Sequence, residues 1–303
     1  MCGAGRGREG VPSILAAMAL TWPLVLAVLA GALMHAGWNA LVKSSTDKTL
    51  DTALLHAIAA ALTWPLALLL GPPPAQAWPF LAASLTLHIG YYFALAGAYQ
   101  HGELGLTYPI MRGLAPLLVA VASATVLGET LGPGAWAGVL AIAFGVALVG
   151  LSRPAAALQQ HKAMAFALAN AAIIAAYTLV DGRGVRESGD ALRYTVWLFA
   201  LDGLPYPLLV LWHRGAQARP QIAAYVRGRW KLALIGGAAS LGSYAIALWA
   251  MTRAPVASVA ALRETSVLFA ALIGTLWLGE RFGLQRALGT LAIVGGVIAL
   301  RLG

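Results

Sequence analysis

The 303-residue sequence has little charge and almost no cysteine. Charged residues make up 10% of it, against about a quarter in soluble domains, whereas 60% of the residues are hydrophobic. We therefore do not expect a soluble enzyme. Cys2 is the single cysteine, so an internal disulfide is excluded, and no Cys or His accompanies it at the spacing of metal ligands.

The long apolar runs define the fold class. A transmembrane helix needs about 20 apolar residues, and breaking the chain at charges and Pro/Gly clusters gives ten such runs. They cover residues 22–42, 50–70, 78–99, 105–127, 133–151, 162–180, 192–212, 230–251, 255–278 and 284–301. The segment 114–127 is apolar on every face, unlike the alternating strands of a membrane β-barrel. The sequence predicts an all-α polytopic membrane protein with ten transmembrane helices.

The basic residues indicate membrane topology rather than a nucleic-acid partner. Despite a net charge of +9, most Lys and Arg lie in short hydrophilic gaps between the apolar runs. Residues 1–21 are interpreted as an N-terminal extension. The alternative is a secretory signal, because Arg6 and Arg8 precede a short apolar stretch.

Two charged motifs recur at a fixed interval. Arg112 is followed by Leu127-Gly128-Glu129, and Arg263 is followed by Leu278-Gly279-Glu280, with an offset of 151 residues for both Arg and Glu (112 to 263, 129 to 280). This recurrence predicts one five-helix repeat over residues 22–151 and a second over 162–301. Because five is odd, the second repeat would enter the membrane inverted. Inverted repeats in secondary transporters place the substrate near the bilayer midplane.

These motifs resemble those of EamA-type transporters of the drug/metabolite transporter superfamily. The resemblance covers residues 20–301 and includes three local segments besides the paired Leu-Gly-Glu motifs. The segments are His35-Ala36-Gly37-Trp38-Asn39-Ala40, Tyr108-Pro109-Ile110-Met111-Arg112-Gly113-Leu114-Ala115-Pro116 and Leu262-Arg263-Glu264-Thr265-Ser266. The resemblance implies a central cavity lined by spans 1, 3, 4, 6, 8 and 9, with spans 5 and 10 at the periphery.

The resemblance also implies a location and a substrate range. It indicates a multi-pass protein of the bacterial inner membrane with both termini in the cytoplasm. The positive-inside rule favours the opposite orientation, because the connections on the side away from the termini carry more Lys and Arg. Family members export amino acids and related metabolites, while relatives move nucleotide sugars, choline or cationic drugs.

Ionisable residues inside the spans are the first candidates for the site, since each costs at least about 2.5–3.5 kcal/mol at the bilayer centre. Arg263 and Arg112 can bind a carboxylate or phosphate through two parallel hydrogen bonds. Glu264 can bind a substrate ammonium or carry a coupling proton, with its protein partner on another helix. The alternative for all three is a structural ion pair. Asp202, before Pro205, is a weaker candidate for a hydrated position or a gate.

Neutral polar residues on the same spans would shape the cavity. His35 and Asn39 lie four residues apart on span 1, and His88 and Tyr91 lie within one turn of span 3. Tyr177 and Tyr244 hold similar places on spans 6 and 8. Interhelical hydrogen bonds are the alternative role for such residues, and the one favoured for His56.

We therefore expect a secondary transporter that exports a small polar metabolite, most simply an amino acid or related carboxylate, by alternating access. No catalytic motif, metal ligand set or cofactor is indicated. Its partners would be a small-molecule substrate, the lipid bilayer and a coupling proton. Gly134 and Gly138 form a GxxxG motif that allows a homodimer, although packing within the chain is favoured. The alternatives are a non-transporting scaffold or lipid-handling protein, or a transporter of nucleotide-linked or lipid-linked substrates.

Overall fold

The structure, a computed structural model, describes residues 20–102, 104–150, 160–278 and 283–303. Every regular element in these ranges is helical, and ten of the helical segments are long and apolar enough to cross a membrane. The prediction of an all-α protein with ten spans is confirmed. Glu280 of the second Leu-Gly-Glu motif and nearly all of the N-terminal extension lie outside these ranges.

Five helices form the first half of the bundle. They are α1 (Trp22–Lys43), α2 (Lys48–Leu70), α3 (Trp78–His101), α4 (Leu104–Val126) and α5 (Pro133–Gly150). The Asp47 carboxylate accepts the Leu50 N–H at 3.0 Å and so caps the start of α2. Gly71, with φ at 72°, ends this helix in a conformation that favours glycine.

The second half forms five spans from seven helices. They are α6 (His161–Ser188), α7 (Ala191–Asp202), α8 (Pro205–Arg214), α9 (Arg219–Met251), α10 (Val256–Arg263), α11 (Ser266–Leu278) and α12 (Leu284–Leu302). Span 7 is divided between α7 and α8 before Pro205, which has no N–H to donate to a continuous helix. Span 9 is divided between α10 and α11 at Glu264 and Thr265.

Two predicted boundaries were wrong. Span 6 was expected to stop at residue 180, before Asp181, but α6 continues for two turns to Ser188. Span 8 was expected to begin at residue 230, but α9 begins at Arg219. In each case a charge that broke the sequence pattern, Asp181 in α6 and Arg229 in α9, has protein partners and lies within the helix.

The helices pair mainly across the two halves. Helix α6 packs against α3 and α4, α9 packs against α1 and α2, and α5 packs along α12. Span 2 contacts span 7, and span 4 contacts span 9. Exchange of the two halves turns the α3–α6 pair into the α1–α9 pair and leaves the pairs of spans 2 and 7, 4 and 9, and 5 and 10 unchanged, as a repeat would require. The inverted relation of the repeats stays a prediction.

Glycines bring α5 and α12 into close contact. A Cβ atom at Gly138 would lie 2.8 Å from the Gly296 carbonyl oxygen, and one at Gly145 would lie 2.7 Å from that of Gly289. Only glycine permits this approach without displacing backbone. The GxxxG motif is therefore used within the chain, while a homodimer stays a prediction.

Ion-pair clusters tie the bundle at both ends of the segment of α9 from Arg229 to Met251. At one end, Arg229 binds both oxygens of Asp51, at 2.9 and 2.6 Å. At the other end, Arg186 donates to Glu129 at 2.6 Å and to the Met251 carbonyl at 2.8 Å. Arg229 and Met251 are about 33 Å apart at 1.5 Å per residue, close to the thickness of a bilayer core. The clusters thus lie near opposite membrane faces.

The cluster around Glu129, called the Glu129 clamp below, consists of Glu129, Arg186 and the backbone of residues 251–256. Glu129 accepts a second hydrogen bond from the Val256 N–H at 2.9 Å, so both of its oxygens are used. Arg186 also reaches the Ala254 carbonyl at 3.1 Å. The first Leu-Gly-Glu motif therefore fastens the α4–α5 connection to the start of span 9.

Candidate functional site

Arg112 and Glu264 meet between the two halves of the bundle. Arg112 lies on α4 and Glu264 at the end of α10, and Arg112 Nε is 2.8 Å from Glu264 Oε2. The two side chains are 10% and 7% exposed. Neither of these atoms makes a hydrogen bond with good geometry. The contact is a buried ion pair in which hydrogen-bonding capacity is left over on both sides.

The remaining contacts of Arg112 join further helices to the pair. Its Nη2 donates to His35 Nε2 on α1 and to Ser266 Oγ on α11, both at 3.3 Å. These bonds are longer than the usual range for charge-assisted contacts. His35 in turn lies edge-on to Trp38, with ring centroids 5.1 Å apart. These two contacts of the guanidinium are therefore weaker than an ordinary charge-assisted hydrogen bond.

Arg263 has a different environment although it precedes Glu264 directly. Its guanidinium lies over the Tyr244 ring, 4.8 Å from the centroid. In the part of the chain that the structure describes, no carboxylate is within ion-pair distance of Arg263. The 151-residue offset explains this asymmetry, because it places Gly113 in the first half where Glu264 stands in the second.

The division of span 9 allows neighbouring residues to reach different helices. The helix turns tightly here, with Glu264 N–H bonded to Ala261 O at 3.0 Å and Thr265 N–H to Leu262 O at 3.2 Å. The Thr265 hydroxyl also donates to Leu262 O, at 2.7 Å. Arg263 can therefore contact α9 while Glu264 contacts α4.

Aromatic side chains from α3 and α6 lie beside these charges. The rings of His88 and Tyr177 are 4.6 Å apart, and those of Tyr91 and Tyr177 are 6.2 Å apart. Tyr177 is 8% exposed and lies within electrostatic reach of both arginines. The structure thus brings residues from both halves to one buried region.

Asn39 makes its side-chain hydrogen bond within its own helix. Its Nδ2 donates to the His35 carbonyl oxygen at 2.8 Å, a bond within α1. His56 bonds to Tyr92 on α3, with Nε2 and the hydroxyl 2.7 Å apart, as expected for an interhelical contact. Asp202 Oδ1 lies 3.7 Å from His88 Nδ1 and so approaches the site through that ring.

Asp181 is a buried acidic residue beside the candidate site, and the sequence analysis missed it. It is fully buried on α6, one turn beyond Tyr177, and accepts hydrogen bonds from Tyr244 at 2.5 Å and Tyr194 at 3.0 Å. The charge was read as the end of span 6. Its spacing of four from Tyr177, which places both on one helix face, was the signal that could have identified it.

The charges and their spacing decide what this region can bind. Arg263 supplies a cation that has no carboxylate partner among the described residues. The Arg112–Glu264 pair supplies one charge of each sign. Such a set matches a small molecule with a carboxylate and an ammonium group. Among the described residues, no group of three His, Cys, Asp or Glu side chains could hold a metal ion.

The comparisons with known proteins agree with this architecture. The model of the EamA-like transporter family matches residues 161–302, which form the second half of the bundle. No curated protein matches the chain. A solved crystal structure aligns with 92% of this chain and 96% of its own, with a TM-score of 0.68 and 19% sequence identity. At this identity, that likeness shows the fold alone.

Proposed function

We propose that this protein is a membrane transporter of the EamA-like family, whose model matches residues 161–302, and that it exports a small amino acid or related carboxylate. The location proposed for it is the bacterial inner membrane, with both termini in the cytoplasm. Movement of a proton with the substrate is part of the proposal.

One observation carries the choice of substrate: the half-buried Arg263 guanidinium lies on an aromatic ring, with no carboxylate partner in the described ranges. A buried cation in a membrane protein usually faces a partner or a solvated cavity. A substrate carboxylate would complete its coordination through the fork of the guanidinium, and a substrate ammonium would take up the unused capacity of Glu264. The aromatic group of His88, Tyr91 and Tyr177 would form the wall of the site.

Alternating access would then use the ties at the two ends of the bundle. The Asp51–Arg229 pair and the Glu129 clamp both connect the first half of the chain to the second. Release of one tie would open the site to one side of the membrane while the other stays closed. Transport therefore requires that each tie can break, and that the substrate contributes contacts to the closed state.

The test is efflux from proteoliposomes loaded with the common L-amino acids and short carboxylates that lack an amino group. We expect selective loss of one class from wild-type vesicles. Arg263→Ala should reduce its efflux by about 10–100-fold, because a charge-assisted bond contributes about 1.5–3 kcal/mol. Arg263→Lys keeps the charge without the fork and should recover part of it, and Arg183→Ala, at an exposed position on α6, is the control.

Two results would overturn the proposal. If folded and inserted wild-type protein releases no compound selectively, the non-transporting scaffold or lipid-handling role is favoured. If efflux is selective but Arg263→Ala transports as well as wild type, the substrate site is elsewhere. Vesicles loaded with a nucleotide-linked sugar test the remaining alternative, because selective efflux of that sugar would indicate a transporter of nucleotide-linked substrates.

A further inference from the structure

Asp181 is a buried acidic residue whose partners are hydroxyl groups. Its Oδ1 accepts from Tyr194 of α7 and its Oδ2 from Tyr244 of α9, and Ser84 of α3 also bonds to it. Across the described ranges, no Lys or Arg lies within ion-pair distance of this carboxylate. A buried carboxylate without a cation is costly to keep charged, so such positions are usually functional.

Tyr244 connects this carboxylate to the proposed substrate site. Its hydroxyl donates to Asp181 at 2.5 Å, and its ring carries the Arg263 guanidinium 4.8 Å from the centroid. A single rigid side chain thus lies between the acid and the cation that would bind the substrate. A change in charge at Asp181 alters both the hydrogen bond of Tyr244 and the field at Arg263.

Other titratable groups surround Asp181 on every helix that faces it. His88 on α3 lies 3.4 Å from the Ser84 hydroxyl and 3.7 Å from Asp202 on α7. Tyr177 stands one turn before Asp181 on α6 and contacts the His88 ring. The facing set is Ser84 and His88 from α3, Tyr194 from α7 and Tyr244 from α9. Asp202 contacts His88, and Arg263 contacts the Tyr244 ring.

We propose that Asp181 binds the proton that moves with the substrate, and that Tyr244 links this proton to the hold of Arg263 on the substrate carboxylate. This inference rests on the proposed function. The one bond that changes is the O–H bond of the Asp181 carboxyl. It forms with a proton from the water on one side of the membrane, and it breaks when that proton is released to the water on the other side. An ionised Asp181 offsets part of the Arg263 charge and weakens its attraction for a carboxylate. Proton binding removes that offset, so proton and carboxylate bind together and leave together.

The sign of this coupling can be measured. As pH falls from about 8 to about 6, the affinity of wild-type protein for the transported amino acid or carboxylate should rise by about fivefold or more, the lower range of allosteric coupling. Efflux down the substrate gradient should also raise the pH inside the vesicles, because a proton leaves with each substrate. Both measurements report on the coupling between proton binding and substrate binding, and not on transport alone.

Asp181→Asn is the decisive variant, since it imitates the protonated acid at every pH. It should keep counterflow of the same amino-acid and carboxylate mixture, with an affinity that no longer changes with pH, and efflux should leave the internal pH unchanged. Glu187→Gln, in the last turn of α6 with a side chain that is 34% exposed, is the matched control and should behave as wild type. Asp181→Glu keeps the titrating group and should restore the proton signal.

The outcomes separate this inference from the proposed function. A pH-dependent affinity in Asp181→Asn equal to that of wild type would overturn it, as would an affinity that rises with pH in wild type. Loss of counterflow in folded Asp181→Asn would place Asp181 among the substrate contacts and also overturn it. If Asp181→Asn does not insert into the membrane, Tyr244→Phe tests the proposal instead. Its substrate affinity must no longer change with pH, and a response equal to that of wild type would overturn the proposal. Absence of wild-type counterflow would instead count against transport itself.

Discussion

Two buried ion pairs, both between arginine and glutamate, are built differently. In the Glu129 clamp, both carboxylate oxygens accept hydrogen bonds, and Arg186 has two backbone carbonyls besides. In the central pair, Arg112 Nε and Glu264 Oε2 are 2.8 Å apart without a well-directed hydrogen bond. A fully satisfied pair holds structure together, whereas one with unused capacity can exchange its partners for a ligand.

The largest effect should follow from breaking the Glu129 clamp. Glu129→Gln keeps the shape but removes the charge that pairs with Arg186. We expect the free energy of unfolding to fall by about 3–5 kcal/mol, as for other broken buried pairs. Titration with a denaturing detergent, followed by tryptophan fluorescence, measures the change. A loss no greater than that of Glu264→Gln would contradict the distinction between the two pairs.

The central pair should instead control which substrates are accepted. Glu264→Gln removes the group proposed to bind a substrate ammonium, so transport of amino acids should fall by about 10–100-fold relative to carboxylates of the same length. Competition in counterflow measures this ratio. An equal loss for both substrate classes would show that Glu264 acts on the fold and not on the ammonium.

The contact between α5 and α12 provides a structural comparison outside the site. A Cβ at Gly289 would lie 2.8 Å from the Gly145 carbonyl oxygen, so Gly289→Ala should cost about 1–3 kcal/mol of stability. Gly295, on the same helix, has open space around the corresponding position, and its replacement by Ala should be neutral or slightly stabilising. Equal stability losses for both variants would refute the close packing.

The smallest effect should come from an exposed pair on α6. Arg183 and Glu187 are 2.7 Å apart, but their side chains are 50% and 34% exposed. Because water screens such pairs, removal of both charges should change stability by about 0.5 kcal/mol or less. A double-mutant cycle with a larger coupling energy would mean that exposure does not separate this pair from the buried ones.

The number of spans could be predicted from the sequence because hydropathy and length are local properties. Arg112, Arg263 and Glu264 were chosen as candidates for the same reason, since a charge within an apolar run is conspicuous, and their role in a substrate site stays a prediction. The expectation that the partner of Glu264 would lie on another helix was confirmed, because consecutive residues on a helix point about 100° apart. The identity of that partner, Arg112, could not be predicted, because it depends on how spans 4 and 9 pack.

The sequence analysis missed charged residues whose hydrogen-bond partners lie on distant segments of the chain. Asp181 was read as the end of a span, because its tyrosine partners are 13 and 63 residues away in the sequence. Arg186 was assigned to a connection for the same reason. The break between α10 and α11 could not be predicted because no proline marks it in the sequence. It is formed by hydrogen bonds of the turn around Leu262 and Thr265.

The most direct test of the account is substrate-induced stabilisation of wild type, Glu129→Gln and Glu264→Gln. Each protein is unfolded thermally with and without the amino acid that wild-type vesicles release, at about 100 times its dissociation constant, where binding adds about 2.7 kcal/mol. We predict that Glu129→Gln is less stable but keeps the full increment, while Glu264→Gln loses most of it. A full increment in Glu264→Gln together with its loss in Glu129→Gln would contradict the account.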